Sequence, residues 1–127
     1  MHKKYLIIAA LLGAVSVALG AFAAHGLKKI ATEQIITVFE TGVKYQFYHV
    51  FALIAVGVLY QQFTNKFIKN AGLFFILGII LFSGSLYLHT LKEIKNIPSL
   101  SWVVFITPLG GISFIIGWIL LALGIKK

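Results

Sequence analysis

The chain has few side chains able to do chemistry, and most fall in a handful of short blocks. In Glu40-Thr41-Gly42-Val43-Lys44-Tyr45-Gln46-Phe47-Tyr48-His49, Tyr45 lies four residues and Gln46 three residues before His49. On a helix these side chains share a face with Gly42. His25, Ser83, Ser85, Tyr87, His89 and Thr107 stand elsewhere in the chain. Three chemistries suit this set. His25, His49 and His89 with Glu40 are acceptable ligands for zinc or copper, although no two histidines have the His-x-x-x-His spacing of a helical metal site. Ser83 or Ser85 with His49 would imitate a nucleophile and its base, but there is no Gly-x-Ser-x-Gly elbow and no aspartate. The third is a polar network of His49, Gln46, Tyr45 and the two serine hydroxyls that ties helices together or holds a ligand, as buried polar groups in lipid must find partners. The network is preferred. Neither an enzyme nor a cofactor is expected, and Glu40 is expected to pair with Lys44 four residues on.

The elements that must position these groups are membrane spans. Apolar residues make up 60% of the 127 and charged ones 11%, with a mean hydropathy of +0.99. A soluble domain is about 45–50% apolar. Four uncharged runs, Tyr5–Ala24, Tyr45–Phe63, Ala71–Leu91 and Ile97–Ile125, match the roughly 20 apolar residues a spanning helix needs. The expected architecture is an all-α integral membrane protein. It is a single domain over residues 1–127, a four-span helix bundle with spans near 5–25, 45–63, 71–91 and 103–125. An interfacial helical segment precedes the second span. Lys3 and Lys4 ahead of the first run resemble a signal peptide, but its length favours a retained span.

Small residues supply the packing signal. Gly13, Ser16 and Gly20 line one face of the first span, and Gly110, Gly117 and Gly124 one face of the last. Such stripes permit close helix approach in lipid. Gly26 is expected to close the first helix in a left-handed cap and Thr32 to open the second. Thr107 is expected to cap a fourth helix starting at Pro108, with the Trp102 stretch as an interfacial or re-entrant approach.

The net charge of +8 and pI near 9.9 come from lysine alone, with no arginine and no cysteine. The lysines sit at the ends of apolar runs and form no basic stripe among stacking aromatics, which points to lipid headgroups and away from nucleic acid. Membrane lipids, a second copy of the chain or another membrane protein are the expected partners. Alternating spans place both termini and the Gln61–Asn70 turn on one side. Six lysines lie there against five opposite, favouring cytoplasmic termini.

Gly20-Ala21-Phe22-Ala23-Ala24-His25-Gly26-Leu27, Thr41 to His49, Phe82-Ser83-Gly84-Ser85-Leu86-Tyr87 and Thr107-Pro108-Leu109-Gly110-Gly111 together resemble the bacterial domain-of-unknown-function 423 family, also called uncharacterised protein family 0382. That family is similar to eukaryotic transmembrane protein 256. The resemblance covers nearly the whole chain and implies a four-span inner-membrane protein, but no mechanism. The chain departs from the family pattern in a longer stretch between Tyr87 and Thr107 and in His89, where an apolar residue is usual. With alternating spans the four blocks lie toward one membrane face. They define the candidate cluster His25, Glu40, Tyr45, Gln46, His49, Ser83, Ser85, Tyr87 and Thr107.

Overall fold

A helix closes its backbone hydrogen bonds within one segment, which suits it to lipid, and helices carry almost the entire chain in a computed structural model describing residues 1–127. Helix α1 runs Lys3–Ala24, α2 Glu33–Leu59, α3 Lys66–Gly78, α4 Gly84–Lys95 and α5 Thr107–Lys126. A π-helical turn, Ile79–Ser83, joins α3 to α4 without a break, and a 3-10 stretch, Pro98–Phe105, leads into α5. Four helical segments are long and apolar enough to cross a membrane: Lys3–Lys29, Glu33–Leu59, Lys66–Lys95 and Pro98–Lys126.

The segment from Glu33 enters the second span as one continuous helix. Its 27 residues reach about 40 Å at 1.5 Å per residue, longer than the ~30 Å hydrocarbon core. The Thr32 hydroxyl accepts the Ile35 N–H at 3.3 Å and sets the start of α2. The left-handed cap at Gly26 does not form. Its φ is −65°, because the chain tightens into a 3-10 turn over Leu27–Lys29 instead of reversing there. The left-handed residue is Asn96 at φ 56°, which ends α4; asparagine tolerates that region through its short polar side chain. Thr107 caps nothing: no side chain closes the start of α5, since its hydroxyl is engaged with Ser85.

Helix α1 packs mainly on α2, α2 on the third span, and the third span on α5. The larger core, with Leu53, Val56, Ile68, Ala71 and Phe75 at its centre, fills the space among these helices toward the termini. A smaller one, Ala23, Leu27, Ile36, Phe39 and Val43, seals the α1–α2 turn. Polar clasps hold the terminal face: Tyr5 Oη donates to Lys69 O at 2.6 Å, Asn65 Nδ2 to Gly124 O at 3.0 Å, and His2 N to Gly57 O at 2.8 Å.

Candidate functional site

Neighbouring residues on a helix point about 100° apart, and this divides the candidate cluster in two. Tyr45 and Gln46 leave α2 on different sides, so Tyr45, Gln46 and His49 do not form one network. Gln46, 2% exposed, faces α1 and α4. Its Nε2 donates to Leu12 O at 3.1 Å and its Oε1 accepts the Tyr87 hydroxyl at 2.7 Å, so one amide joins three helices and its orientation is fixed. Beside it Ser83 Oγ, fully buried, donates to Gly42 O at 2.6 Å. Gly42 is required there, as a Cβ would lie 2.9 Å from the Tyr87 ring. Ser85 gives its proton to Phe82 O at 2.8 Å, so Thr107 is the donor in the 2.5 Å hydroxyl pair that ties α4 to the start of α5.

The second arm faces α5. His49 is 5% exposed and its ring stacks on Phe114 at 3.5 Å between centroids, 8° from parallel. Trp118 Nε1 donates to His49 Nε2 at 3.0 Å. An indole N–H is only a donor, which assigns the imidazole proton to Nδ1, and Nδ1 lies 2.7 Å from Tyr45 O. Both nitrogens of a neutral imidazole are thus satisfied. Backbone seams are close between the third span and α5 but not between α2 and α5, and the gap is a recess of about 470 Å³. Tyr45, Phe82, Phe114 and Trp118 wall it, with His49 at its floor. It opens sideways, because Tyr45, Ile112, Ile115 and Trp118 are all exposed. The Tyr45 hydroxyl makes no hydrogen bond within the chain.

The remaining candidates stand apart. His25 is exposed at the end of α1. Glu40 is exposed beside Lys28, Glu33 and Thr37, and its expected pair with Lys44 is absent. The one ion pair is Lys92–Glu93 at 3.1 Å, and both partners of an exposed i, i+4 pair gain little by meeting. His89 Nδ1 is buried without a partner. No three histidine or acidic side chains come together as a metal cage, and His49 has no free nitrogen to offer. The proposed ligand trio His25, His49 and His89 is therefore not assembled.

Ser113, on the small-residue face expected of the last span, donates its hydroxyl to Phe74 O at 2.8 Å, whereas Trp118 and Phe114 are not among the residues singled out from the sequence. Trp118 carried a usable signal: a tryptophan deep inside an apolar run must find an acceptor for its N–H.

The family profile described as protein of unknown function (DUF423) matches residues 19–111. That span contains α2, the π turn and Thr107, whereas Leu12 of the first arm and Phe114 and Trp118 of the second lie outside it. The chain belongs to this family. It is 44% identical to a UPF0382 membrane protein of Haemophilus influenzae over 127 residues, covering 100% of this chain and 97% of that relative. It is 36% identical to the UPF0382 membrane protein YwdK of Bacillus subtilis, covering 98% of each. It is 39% identical to the UPF0382 inner membrane protein YgdD of Escherichia coli, covering 94% of this chain and 86% of the relative. No solved structure matches. This family member is a four-span membrane protein whose last helix adds Phe114 and Trp118 beyond the matched residues.

Proposed function

We propose that this is a non-enzymatic inner-membrane protein, with both termini in the cytoplasm, that takes an amphipathic, lipid-like ligand from the bilayer into the recess between α2 and α5. The carrying observation is a sideways-open aromatic recess with one free phenol, Tyr45, at its mouth. Apolar cavities with a few convergent polar groups are the usual form of small-molecule sites. Here rings would accept an apolar body and the Tyr45 hydroxyl its polar tip. The E. coli relative's name supports the inner membrane, and the lysine distribution supports the orientation.

Native mass spectrometry of protein released from lipid nanodiscs tests the site. The expected result is a discrete adduct on the wild-type chain that disappears when Ile112→Trp fills the recess. A bare wild-type protein, or an adduct pattern in which no species is lost on Ile112→Trp, overturns it. Orientation is accessible because the chain has no cysteine, so single cysteines placed beside Lys3 and Lys66 report sidedness without background labelling.

A second reading is self-association into a channel or transporter component. It is supported by the outer face of α1, where Ala10, Ala14 and Ala18 stand exposed at four-residue steps. Oxidative cross-linking of Ala14→Cys in native membranes is the check, and absence of any dimer counts against it.

A further inference from the structure

The 3-10 stretch Pro98–Phe105 descends alongside α4, its Val103 wholly buried, until Thr107 meets Ser85. Between the two runs an apolar groove of about 440 Å³, floored by Gly84 and Leu81 and edged by Leu88, Trp102 and Ile106. None of its lining belongs to the recess at His49. Gly84 is unlike the packing glycines: a Cβ there meets nothing within 4 Å. No helix contact requires its smallness, and the space above it is open.

The groove has a charged end. Gly84, Leu88 and Lys92 are spaced four apart and Lys95 three further on, so the groove face of α4 leads to two lysines at the membrane surface. Lys92 contacts Glu93 at 3.1 Å, leaving this rim with one net positive charge and Lys95 exposed. Ile80 and Lys92 are twelve positions apart, roughly 18 Å along a helix. That matches one leaflet of a hydrocarbon core about 30 Å thick.

We propose that this groove seats one acyl chain of an anionic phospholipid, with the phosphate held at Lys92 and Lys95. The apolar lining and leaflet-length run select an acyl chain, and the lysines at its outer end select a negative headgroup. Trp102, 53% exposed beside the groove, lies within contact of such a chain.

Tryptophan fluorescence tests this in the full-length protein, which has two tryptophans, Trp102 and Trp118. In Trp118→Phe protein in phosphatidylcholine nanodiscs, a small fraction of phosphatidylglycerol with brominated acyl chains quenches Trp102 more than the same fraction of brominated phosphatidylcholine. That preference weakens roughly five-fold for each of Lys92→Gln and Lys95→Gln. It vanishes in Gly84→Leu, which fills the groove while the fold is retained, as the helical circular dichroism and thermal midpoint show. Native mass spectrometry on the otherwise wild-type chain gives a phosphatidylglycerol adduct lost in Gly84→Leu and kept in Ile112→Trp. Equal quenching by the two headgroups, meaning ordinary boundary lipid only, overturns the proposal. So does a preference that survives Gly84→Leu, or a protein dimer that Gly84→Leu abolishes. Loss of the Ile112-sensitive adduct alone would instead bear on the recess.

Discussion

The small residues of α1 and of α5 recur at similar steps, yet they meet their neighbours differently. A Cβ on Gly13 would sit 3.6 Å from Val50 Cγ1, and one on Gly20 3.8 Å from Val43 Cγ1, both ordinary contacts. On α5 a Cβ at Gly110 would strike the backbone nitrogen of Phe82; one at Gly117 would lie 2.6 Å from the Phe75 ring, and one at Gly124 2.6 Å from Ile68 Cγ1. The cause is what each partner presents. Helix α2 meets the α1 stripe with the Val43 and Val50 methyls at ordinary contact distance, whereas the third span brings the Phe82 main chain, the Phe75 ring and the Ile68 side chain within about 3 Å. Close approach does occur at the N-terminal end of α1, but there the glycines belong to the partners, Gly57 against Leu6 and Gly72 against Tyr5. A small-residue stripe permits contact; the facing helix decides whether it is used. Along the rest of α1 one polar bond crosses the seam, Gln46 Nε2 to Leu12 O at 3.1 Å, while Ser16 Oγ donates to the same carbonyl at 2.8 Å from within α1.

Four substitutions break or sharpen this contrast. Gly110→Ala is expected to be the most damaging, at about 3 kcal/mol, the upper end of ordinary overpacking, because Phe82 main chain cannot step aside. Its thermal midpoint in nanodiscs should fall clearly below wild type, and an unchanged midpoint would mean the α5 seam is not tight. Gly117→Ala should cost about 1–2 kcal/mol, since the Phe75 ring has some freedom to tilt; denaturant titration in mixed micelles measures it.

Gln46→Leu tests the polar seam. It leaves the Tyr87 hydroxyl without its acceptor, and a cycle with Tyr87→Phe should give a coupling of roughly 0.6 kcal/mol, the average for interhelical hydrogen bonds in membranes. Additive losses would show that the 2.7 Å bond contributes nothing specific. Gly13→Ala should change stability by no more than ~0.5 kcal/mol, because ordinary contact leaves room for the methyl and alanine is the better helix former. A loss as large as that of Gly110→Ala would erase the contrast between the two seams.

Spans, the Thr32 cap and the break before Pro108 were legible because they follow from run length and local hydrogen-bonding chemistry, which are written residue by residue. The split between Tyr45 and Gln46 was not. Counting steps of three and four to His49 places both near it, but only the positions of α1 and α5 decide which side each side chain serves. Glu40 and Lys44 have the right spacing and still stay apart, because water competes well for both at an exposed surface. The partnership of His49 with Trp118, sixty-nine residues away, has no local trace. The groove at Gly84 was hidden for a related reason: a glycine that permits packing and a glycine that faces open space look alike in a sequence.

The π turn at Ile79–Ser83 amounts to one surplus residue accommodated inside a helix. Each residue turns a helix by about 100°, so that insertion sets the rotation of everything after it, including Ser85, Tyr87 and the Gly84–Lys92 face. The third span is therefore sensitive to length at this point in a way its composition conceals. An apolar exchange within Ile79–Phe82 keeps the phase of α4, whereas deleting a single residue there would straighten the turn to α-helix and swing Tyr87 away from Gln46 and Thr107 away from its serine.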